Sequence, residues 1–227
     1  MIMKVRFNKN TASFCIGKTL IVADMHIGVE KELRRRGITV VSQTSKMLEK
    51  LIKIGKRTKS QSLMILGDFK HSIPLISWQE QNEIPFFIEK LSSVFKEIII
   101  VRGNHDAGLE DLARKEKVKV KIIKEQALGG FGFIHGHAFP SKEMMSKVKI
   151  IIAGHVHPEY KLRDRVESIT PNKAWFIGEC EFHGVKKKII LVPAFNELVG
   201  GAGESTEKFM KHVDIKEVLL LDLTKML

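Results

Sequence analysis

The sequence predicts an α/β fold in which two mixed β-sheets pack against each other and helices cover their outer faces. Short apolar segments alternate with amphipathic helical segments in the first half of the chain, as in parallel strands joined by helical crossovers. Strand-like segments follow one another directly at the start of the chain and again in its second half, as in antiparallel pairs. The length of 227 residues suits one sizeable domain, predicted to span 1–227.

The chain is expected to begin with a meander of short strands. Strands are predicted, with turn residues between them, at 2–7, 12–16 and 19–23. The last of these strands leads directly into Asp24-Met25-His26. Open α/β sheets bind their ligands at the carboxyl ends of strands, so this position is a candidate for function.

Helices and strands then alternate as far as residue 101. The apolar residues of the predicted helices recur at helical spacing, and the strands between them are short apolar runs. Pro85 is expected in the first turn of its helix, where the missing backbone N–H is tolerated. The predicted elements are helices at 29–36, 42–56 and 84–96 and strands at 63–66 and 98–101.

The second half of the chain is richer in strands than in helices. Several of its segments alternate between apolar and polar residues, and others are apolar throughout. The predicted elements are a helix at 109–115, strands at 118–122, 131–134, 148–152, 174–177, 188–192 and 218–221, and a Gly-rich loop at 198–203 that precedes a short helix.

The composition excludes several classes of protein. No apolar run approaches the length of a membrane span, and the start of the chain lacks the apolar core of a signal peptide, so a cytoplasmic location is expected. Cys15 and Cys180 are the two cysteines, which excludes a disulfide framework and a CxxC zinc pair. A metal ion would therefore have to be held by His, Asp and Asn side chains.

The chain is strongly basic. Lys and Arg number 38 against 26 Asp and Glu, which gives a net charge of +12. Such a charge suits an anionic partner such as DNA or RNA. The lysines are spread over many segments, however, and a surface rich in Lys and Glu is also typical of thermophilic proteins.

Five short polar motifs follow predicted strands. The most informative is Gly103-Asn104-His105-Asp106, which comes directly after the apolar strand at 98–101. Seven of the nine histidines lie in these motifs, a concentration that ordinary turns do not explain. The other motifs are Asp24-Met25-His26, Gly67-Asp68-Phe69-Lys70-His71, His135-Gly136-His137 and Gly154-His155-Val156-His157.

These side chains can hold two divalent cations. Each ion needs about three terminal ligands and a carboxylate that bridges the pair. Asp68 would lie between the ions, and imidazole, carboxylate and amide ligands without thiolate favour manganese, with iron, zinc or nickel as alternatives. The predicted ligands are Asp24, His26 and His157 for one ion, Asn104, His135 and His155 for the other, and Asp68 for both.

Such a centre would hydrolyse a phosphate ester. A hydroxide that bridges the two metals would attack phosphorus in line with the leaving oxygen, and metal binding lowers the pKa of that water toward ~7. His105 is the predicted donor of a hydrogen bond or proton to the leaving oxygen. Asp106 is predicted to fix the tautomer of His105.

Three features have no assigned role at this level. His71 could hydrogen-bond a ligand, contact substrate or be structural, and His137 is equally open. The loop at 193–203 could line the site with Asn196 and Glu197 near the phosphate, or it could be a plain turn.

The motifs resemble those of the calcineurin-like metallophosphoesterase superfamily, which has the ordered set DxH, GDxx, GNH(D/E), a single His and GHxH. The matching residues are Asp24-Met25-His26, Gly67-Asp68, Gly103-Asn104-His105-Asp106, His135 and Gly154-His155-Val156-His157. The resemblance implies a four-layer αββα sandwich and a dinuclear site that often contains manganese. Within the superfamily the chain is similar to archaeal phosphoesterases related to the SbcD nucleases and to bacterial ligase-associated DNA endonucleases.

The expected function is metal-dependent hydrolysis of phosphodiesters, with DNA or RNA as the expected substrate. A phosphatase or diesterase of small nucleotides is the alternative. A non-catalytic scaffold of the same fold would typically lack ligands or the histidine that corresponds to His105, and all are present here. A nucleic-acid-binding module without chemistry rests on charge alone.

Overall fold

The computed structural model describes residues 4–113, 120–163, 169–201 and 206–227, and these residues form two sheets flanked by helices. Sheet 1 has the strand order β1 to β6; its first two pairings are antiparallel and the other three are parallel. Its strands are β1 (Val5–Phe7), β2 (Phe14–Ile16), β3 (Thr19–Ala23), β4 (Ser62–Leu66), β5 (Glu97–Val101) and β6 (Val120–Ile123).

Sheet 2 contains the remaining strands in the order β10-β11-β12-β9-β8-β7, and β13 pairs with β11. Strands β8, β9 and β12 are parallel neighbours in its centre, and the other pairings are antiparallel. The strands are β7 (Gln126–Leu128), β8 (Phe131–Ile134), β9 (Ile150–Ala153), β10 (Glu159–Arg163), β11 (Ile169–Phe182), β12 (Val185–Leu191) and β13 (Val213–Leu220).

The helices lie on the outer faces of the sheets. Helices α2, α3 and α4 contribute buried residues to a core on one face of sheet 1, and α5 and α6 do so on the outer face of sheet 2. None of the described helices is long and apolar enough to cross a bilayer. The helices are α1 (Val29–Arg35), α2 (Thr44–Thr58), α3 (Trp78–Leu91), α4 (Leu109–Ala113), α5 (Lys142–Lys147) and α6 (Glu207–Met210).

Alternate residues of the central strands enter different layers of the core. In β3, Leu20 and Val22 pack against the helices, whereas Ile21 and Ala23 face the second sheet. The space between the sheets is filled from both sides, for example by Phe14 from sheet 1 and Trp175 from sheet 2. Because both faces of these strands are buried, they are apolar throughout. The predicted αββα sandwich of two mixed sheets is confirmed.

Helix α3 differs from its prediction. It begins at Trp78, six residues earlier than expected, because Ser77 and Glu80 form a capping box that satisfies the first backbone N–H groups. Pro85 therefore lies inside the helix and not in its first turn. Its missing N–H leaves a carbonyl on the exposed side of the helix, at Gln81, where water can bond to it.

Several strands of sheet 2 also differ from their predictions. The predicted strand at 174–177 is the middle of the long strand β11, which pairs with β10 at one end and with β12 at the other. Strand β10, strand β7 and helix α5 were not predicted. Residues 2–3, 114–115, 118–119 and 202–203, which belong to predicted elements, lie outside the described residues.

Candidate metal centre

The seven predicted ligands lie together where the two sheets meet. Three come from loops after strands of sheet 1, with Asp24 after β3, Asp68 after β4 and Asn104 after β5. The other three motif positions follow strands of sheet 2, with His135 after β8 and His155 and His157 after β9. His26 completes the set in the loop after β3. These loops converge because the ends of parallel neighbouring strands lie at one edge of a sheet.

Six of the seven side chains are buried. Asp24 is 0% exposed, Asp68 2% and His135 1%, so their charges cannot be satisfied by bulk water. His26, His155 and His157 are also buried, whereas Asn104 is exposed. A cluster of buried carboxylates and imidazoles requires compensating partners, and a cation is one such partner.

The predicted ligands form two groups of the size that one ion occupies, and His26, His71 and His105 form a third. Asp24, His26 and His157 each offer a ligand atom within 4.8 Å of the others, and so do Asp68, His135 and His155. Asp68 Oδ2 lies 3.3 Å from His135 Nε2 and 3.6 Å from His26 Nε2, so it faces both groups. Asn104 Oδ1 lies 3.2 Å from His135 Nε2 and joins the second group.

Two unpartnered nitrogen atoms indicate that the cluster fits a metal. Nε2 of His26 and Nε2 of His157 are buried and have no hydrogen-bond partner among the described residues. A buried polar atom without a partner is costly, and an imidazole nitrogen in this state is a ready metal ligand. The donors are imidazole nitrogens with carboxylate and amide oxygens, a set that suits divalent transition metals.

The backbone is strained at these residues. Five of the seven predicted ligands have positive φ, which non-glycine residues rarely adopt. Such conformations persist where the surrounding structure holds them, and they concentrate at functional sites. The values are 53° for Asp24, 44° for His26, 45° for Asp68, 66° for His155 and 46° for His157.

Close approach of the loops requires glycine at two positions. A Cβ atom on Gly103 would lie 2.1 Å from Asp68 Oδ1, and one on Gly67 would lie 2.2 Å from His135 Nδ1. Both distances are far below van der Waals contact, so only glycine fits here. The glycines of the motifs thus make room for the neighbouring ligands.

Hydrogen bonds to carbonyl oxygens orient two of the histidines. His135 Nδ1 donates to the carbonyl oxygen of Leu66 at 3.0 Å, and His157 Nδ1 donates to that of Gly200 at 3.0 Å. In both rings Nε2 is consequently the atom that faces the cluster, as is typical of metal-binding histidines. The roles of Leu66 and Gly200 were not predicted, because a backbone carbonyl has no residue-type signal.

His71 has a defined place beside His26. Its Nε2 donates to the Glu32 carboxylate at 2.6 Å, and its Nδ1 lies 3.1 Å from His26 Nδ1. The hydrogen bond from His71 lowers the pKa of Glu32, which keeps the carboxylate ionised. With a neutral His71, His26 Nδ1 must donate to His71, and the lone pair of His26 is then on Nε2. The chain from Glu32 through His71 orients His26.

His135 and Asp68 form a buried ion pair. Burial lowers the pKa of His135, but the hydrogen bond and charge of Asp68 outweigh this effect and raise the pKa to about 9. The pKa of Asp68 is lowered because the His135 contacts outweigh its burial. Burial, with the nearby His135 charge, lowers the pKa of His155 to about 4. Only neutral imidazole binds a metal, so a cation would displace the proton of His135.

His105 lies at the edge of the cluster. Its Nδ1 donates to the carbonyl oxygen of His71, which leaves Nε2 facing Asp68 Oδ2 at 4.0 Å. Asp106 does not orient this ring, contrary to the prediction. The Asp106 carboxylate instead accepts hydrogen bonds from the backbone N–H groups of Gly103 and Phe69, both at 2.8 Å. Asp106 thereby holds together the loops after β4 and β5.

The loop after β12 is bonded to the loop after β3 and to helix α2. Asn196 is fully buried and donates through Nδ2 to the Met25 carbonyl oxygen at 2.8 Å, which joins this loop to the loop after β3. Glu197 accepts from Lys46 and Lys50 of α2 at 2.9 and 3.2 Å. Both side chains are thus engaged with protein, and among the described residues of the loop Gly200 contacts the cluster through its carbonyl oxygen.

A family model described as a calcineurin-like phosphoesterase superfamily domain matches residues 18–179, well over half of the chain. Among solved structures, nuclease MPE from Pseudomonas putida is similar over 97% of this chain and 97% of that chain, with 20% identity and a TM-score of 0.64, a likeness of fold. Yfce, a phosphoesterase from E. coli, aligns over 92% of this chain and 96% of that chain, with 12% identity and a TM-score of 0.45. No curated protein sequence matches the chain.

The matched region contains all of the motifs from Asp24 to His157, and the fold has the two mixed sheets that the motifs imply. The predicted family and enzyme class are confirmed. The chain belongs to the calcineurin-like phosphoesterase superfamily, whose members are metal-dependent hydrolases of phosphoric esters.

Proposed function

We propose that this chain hydrolyses phosphodiesters, with nucleic acid as its substrate class, at a centre that binds two divalent cations. The observation that supports the proposal best is the convergence of the seven predicted ligands from both sheets. Nε2 of His26 and Nε2 of His157 are buried there without a hydrogen bond among the described residues, and each lies close to a carboxylate oxygen, at 3.6 Å from Asp68 and 3.3 Å from Asp24. The net charge of +12 supports an anionic polymer as substrate. The solved structure of similar fold from Pseudomonas putida is named a nuclease.

We assign the predicted ligands to the two cations as follows. Asp24, His26 and His157 would hold one cation, Asn104, His135 and His155 the other, and Asp68 would contact both. When bound, two such cations neutralise phosphate charge and lower the pKa of a water molecule toward ~7. Manganese is the metal that we propose, because the ligand set mixes nitrogen and oxygen donors without thiolate.

His105 would assist departure of the leaving oxygen. The carbonyl oxygen of His71 holds its Nδ1, so Nε2 is the atom that can donate a hydrogen bond or proton toward substrate. Asp106 would act through the loops that it holds and not by contact with the ring. The cytoplasmic location stays a prediction.

The first test compares bis-p-nitrophenyl phosphate with p-nitrophenyl phosphate, in the presence of Mn²⁺ and then of chelator, followed by a labelled single-stranded oligonucleotide. Cleavage of the diester and the oligonucleotide that chelator abolishes is the expected result. Asp214→Asn, which alters an exposed carboxylate paired with Lys216, is a control that should behave as wild type.

Three outcomes would contradict the proposal. Activity on the monoester alone would assign the chain to the small-molecule phosphatases, and better turnover of mononucleotides than of oligonucleotides would favour the alternative of small nucleotides. Silence on all three substrates with metal bound would support a scaffold.

A further inference from the structure

A cavity of about 420 Å³ adjoins the candidate metal centre, and neither the motifs nor the proposed chemistry assigns it a role. His135, one of the predicted ligands, contributes to its wall, and His137 lies on the loop that borders it. The volume falls within the range of ~300–1,000 Å³ that is usual for small-ligand pockets. We call it the His137 cavity.

The lining of the His137 cavity combines an apolar wall with cations. Ile134, Ala138 and Phe139 provide the apolar surface, and Arg102 and Lys124 provide positive charge. Phe139 is held in place by Phe182, whose ring centroid lies 5.1 Å away. A rigid aromatic wall of this kind suits a flat, partly apolar group such as a nucleobase.

The acidic residue of the lining is already engaged. Glu125 accepts a hydrogen bond from the backbone N–H of Ser141 at 3.0 Å and another from the Ser141 hydroxyl group, which caps helix α5. Arg102 is paired with Glu110 outside the cavity, which fixes its position and leaves further N–H donors on the guanidinium. Arg102 and Lys124 therefore offer N–H donors to a phosphate group, whereas the Glu125 carboxylate keeps its charge but is directed at Ser141.

The cavity and His105 lie on different sides of the metal centre. The His105 ring neighbours His26 and His71, with centroid distances of 5.0 and 5.4 Å. The His137 ring neighbours His135 and His155, at 5.3 and 6.4 Å. If the leaving oxygen departs toward His105, the substituent that stays on phosphorus extends away from His105, on the side of the centre where the cavity lies.

We propose that the His137 cavity binds the nucleoside that retains the scissile phosphate, with its base against Phe139 and Ile134 and its next phosphate near Arg102 and Lys124. This inference rests on the proposed function, because it takes hydrolysis at the adjacent centre as given. It adds a binding site for a nucleotide, and such a site would make the enzyme prefer polynucleotides to small diesters.

Binding of thymidine 3′,5′-bisphosphate, which carries both phosphates of the proposed nucleotide, to the full chain tests the site directly. Calorimetry is done in chelator, which removes the contribution of metal, and repeated with Mn²⁺. Ala138→Trp, which adds a large side chain at the cavity lining, and Lys124→Gln, which removes a cation, should each weaken binding in chelator by about fivefold or more. Lys121→Gln removes the same charge from the same strand region, at a lysine that pairs with Glu97, and should leave binding unchanged.

Selectivity provides a second measurement. The ratio of kcat/KM for the oligonucleotide to kcat/KM for bis-p-nitrophenyl phosphate should fall about tenfold in Ala138→Trp. Far-ultraviolet circular dichroism and thermal unfolding show whether each variant is folded. If Ala138→Trp does not fold, Lys124→Gln still tests the inference, because Lys124 is exposed.

The outcomes separate this inference from the proposed function. Binding of thymidine 3′,5′-bisphosphate that depends on Lys124 would support the cavity even if the wild-type chain cleaved no diester. Cleavage of oligonucleotides with binding and selectivity unaffected in both variants would overturn the cavity and leave the proposed function standing. Inorganic phosphate that binds as tightly as the nucleotide, without an effect of Ala138→Trp, would show that no nucleoside is recognised there.

Discussion

Asp68 faces both groups of candidate ligands, whereas His105 contacts only their edge. Asp68→Ala is therefore expected to abolish hydrolysis and to lower bound metal, because both ion positions lose a shared carboxylate. His105→Ala should lower the rate by about a hundredfold or more while metal remains bound. Elemental analysis of the purified variants, alongside turnover of bis-p-nitrophenyl phosphate, distinguishes the two. Loss of metal in the His105 variant would contradict its assignment as a proton donor.

Hydrogen bonds link Glu32 to His71 and His71 to His26. Glu32 and His71 should therefore affect metal affinity although neither is a predicted ligand. His71→Ala and Glu32→Gln should each weaken Mn²⁺ binding by roughly 10- to 100-fold, because the orientation of His26 is no longer fixed. Titration of Mn²⁺ followed by calorimetry measures this without reference to catalysis. Arg36→Gln removes the other partner of Glu32 and is the matched control. Equal affinity in His71→Ala and wild type would exclude the positioning role.

Side chains with distinctive chemistry could be placed from the sequence, and their supports could not. Asp24, Asp68 and the motif histidines were predicted because carboxylates and imidazoles recur directly after strands. The Gly200 carbonyl oxygen that orients His157 has no such signal, since every residue offers a carbonyl. Asp106 was placed beside His105 because they are neighbours in sequence, but three-dimensional contacts direct its carboxylate to Gly103 and Phe69.

Among the structural elements, the loop after β5 gives the sharpest prediction. Gly103→Ala should disturb the Asp68 carboxylate, which lies where the new Cβ atom would be, and should lower both metal affinity and the free energy of unfolding by about 1–3 kcal/mol. Gly201→Ala is the control, because its Cβ atom would meet Glu159 at an ordinary 3.4 Å. Urea unfolding and Mn²⁺ titration of the two variants test this, and similar behaviour of both would refute it.

Strand β11 holds the loop after β12 through Lys173, whose Nζ donates to the carbonyl oxygens of Ala194, at 2.7 Å, and Asn196. Burial lowers the pKa of Lys173 to about 8, against ~10.4 in an unfolded chain. The folded protein therefore binds fewer protons than the unfolded one between these values, and the free energy of unfolding rises with pH there. The contribution of Lys173 from pH 7 to pH 10 is on the order of 2 kcal/mol.

Urea unfolding of wild type and Lys173→Met at both pH values measures this contribution. The variant should lose more stability relative to wild type at pH 10 than at pH 7, since the neutral amine keeps its hydrogen bonds without the cost of a buried charge. A constant difference would show that Lys173 titrates normally.

Elements with strong periodicity or apolar runs were placed well, and those defined by caps or pairing were not. Strands β3 and β8 match their predictions at both ends, because each is a short apolar run between turn signals. The predicted start of helix α3 is too late in the sequence, because the helix begins at a capping box formed by Ser77 and Glu80, which apolar spacing does not reveal. Strand β10 was not predicted, because it is stabilised by pairing with β11 and its own residues carry no clear strand pattern.

For the whole molecule, the net charge of +12 leads to a prediction that discriminates between two origins of that charge. If the basic surface contacts phosphates, affinity for a single-stranded oligonucleotide, measured in chelator, should fall about tenfold or more between roughly 50 and 200 mM salt. If the lysines serve only stability at high temperature, the oligonucleotide should bind weakly and without this dependence. Fluorescence anisotropy over a salt series separates the two.

The left-handed backbone at five of the candidate ligands has a consequence for how such a protein can change. Each of these conformations costs on the order of 1–3 kcal/mol for a residue other than glycine. Glycine at Asp24, His26, Asp68, His155 or His157 would relieve this backbone cost but would remove a candidate ligand, and at Asp68 it would also leave the buried His135 without its ion-pair partner. In any variant that has been selected for stability, these five positions should therefore be sequenced first when activity has been lost.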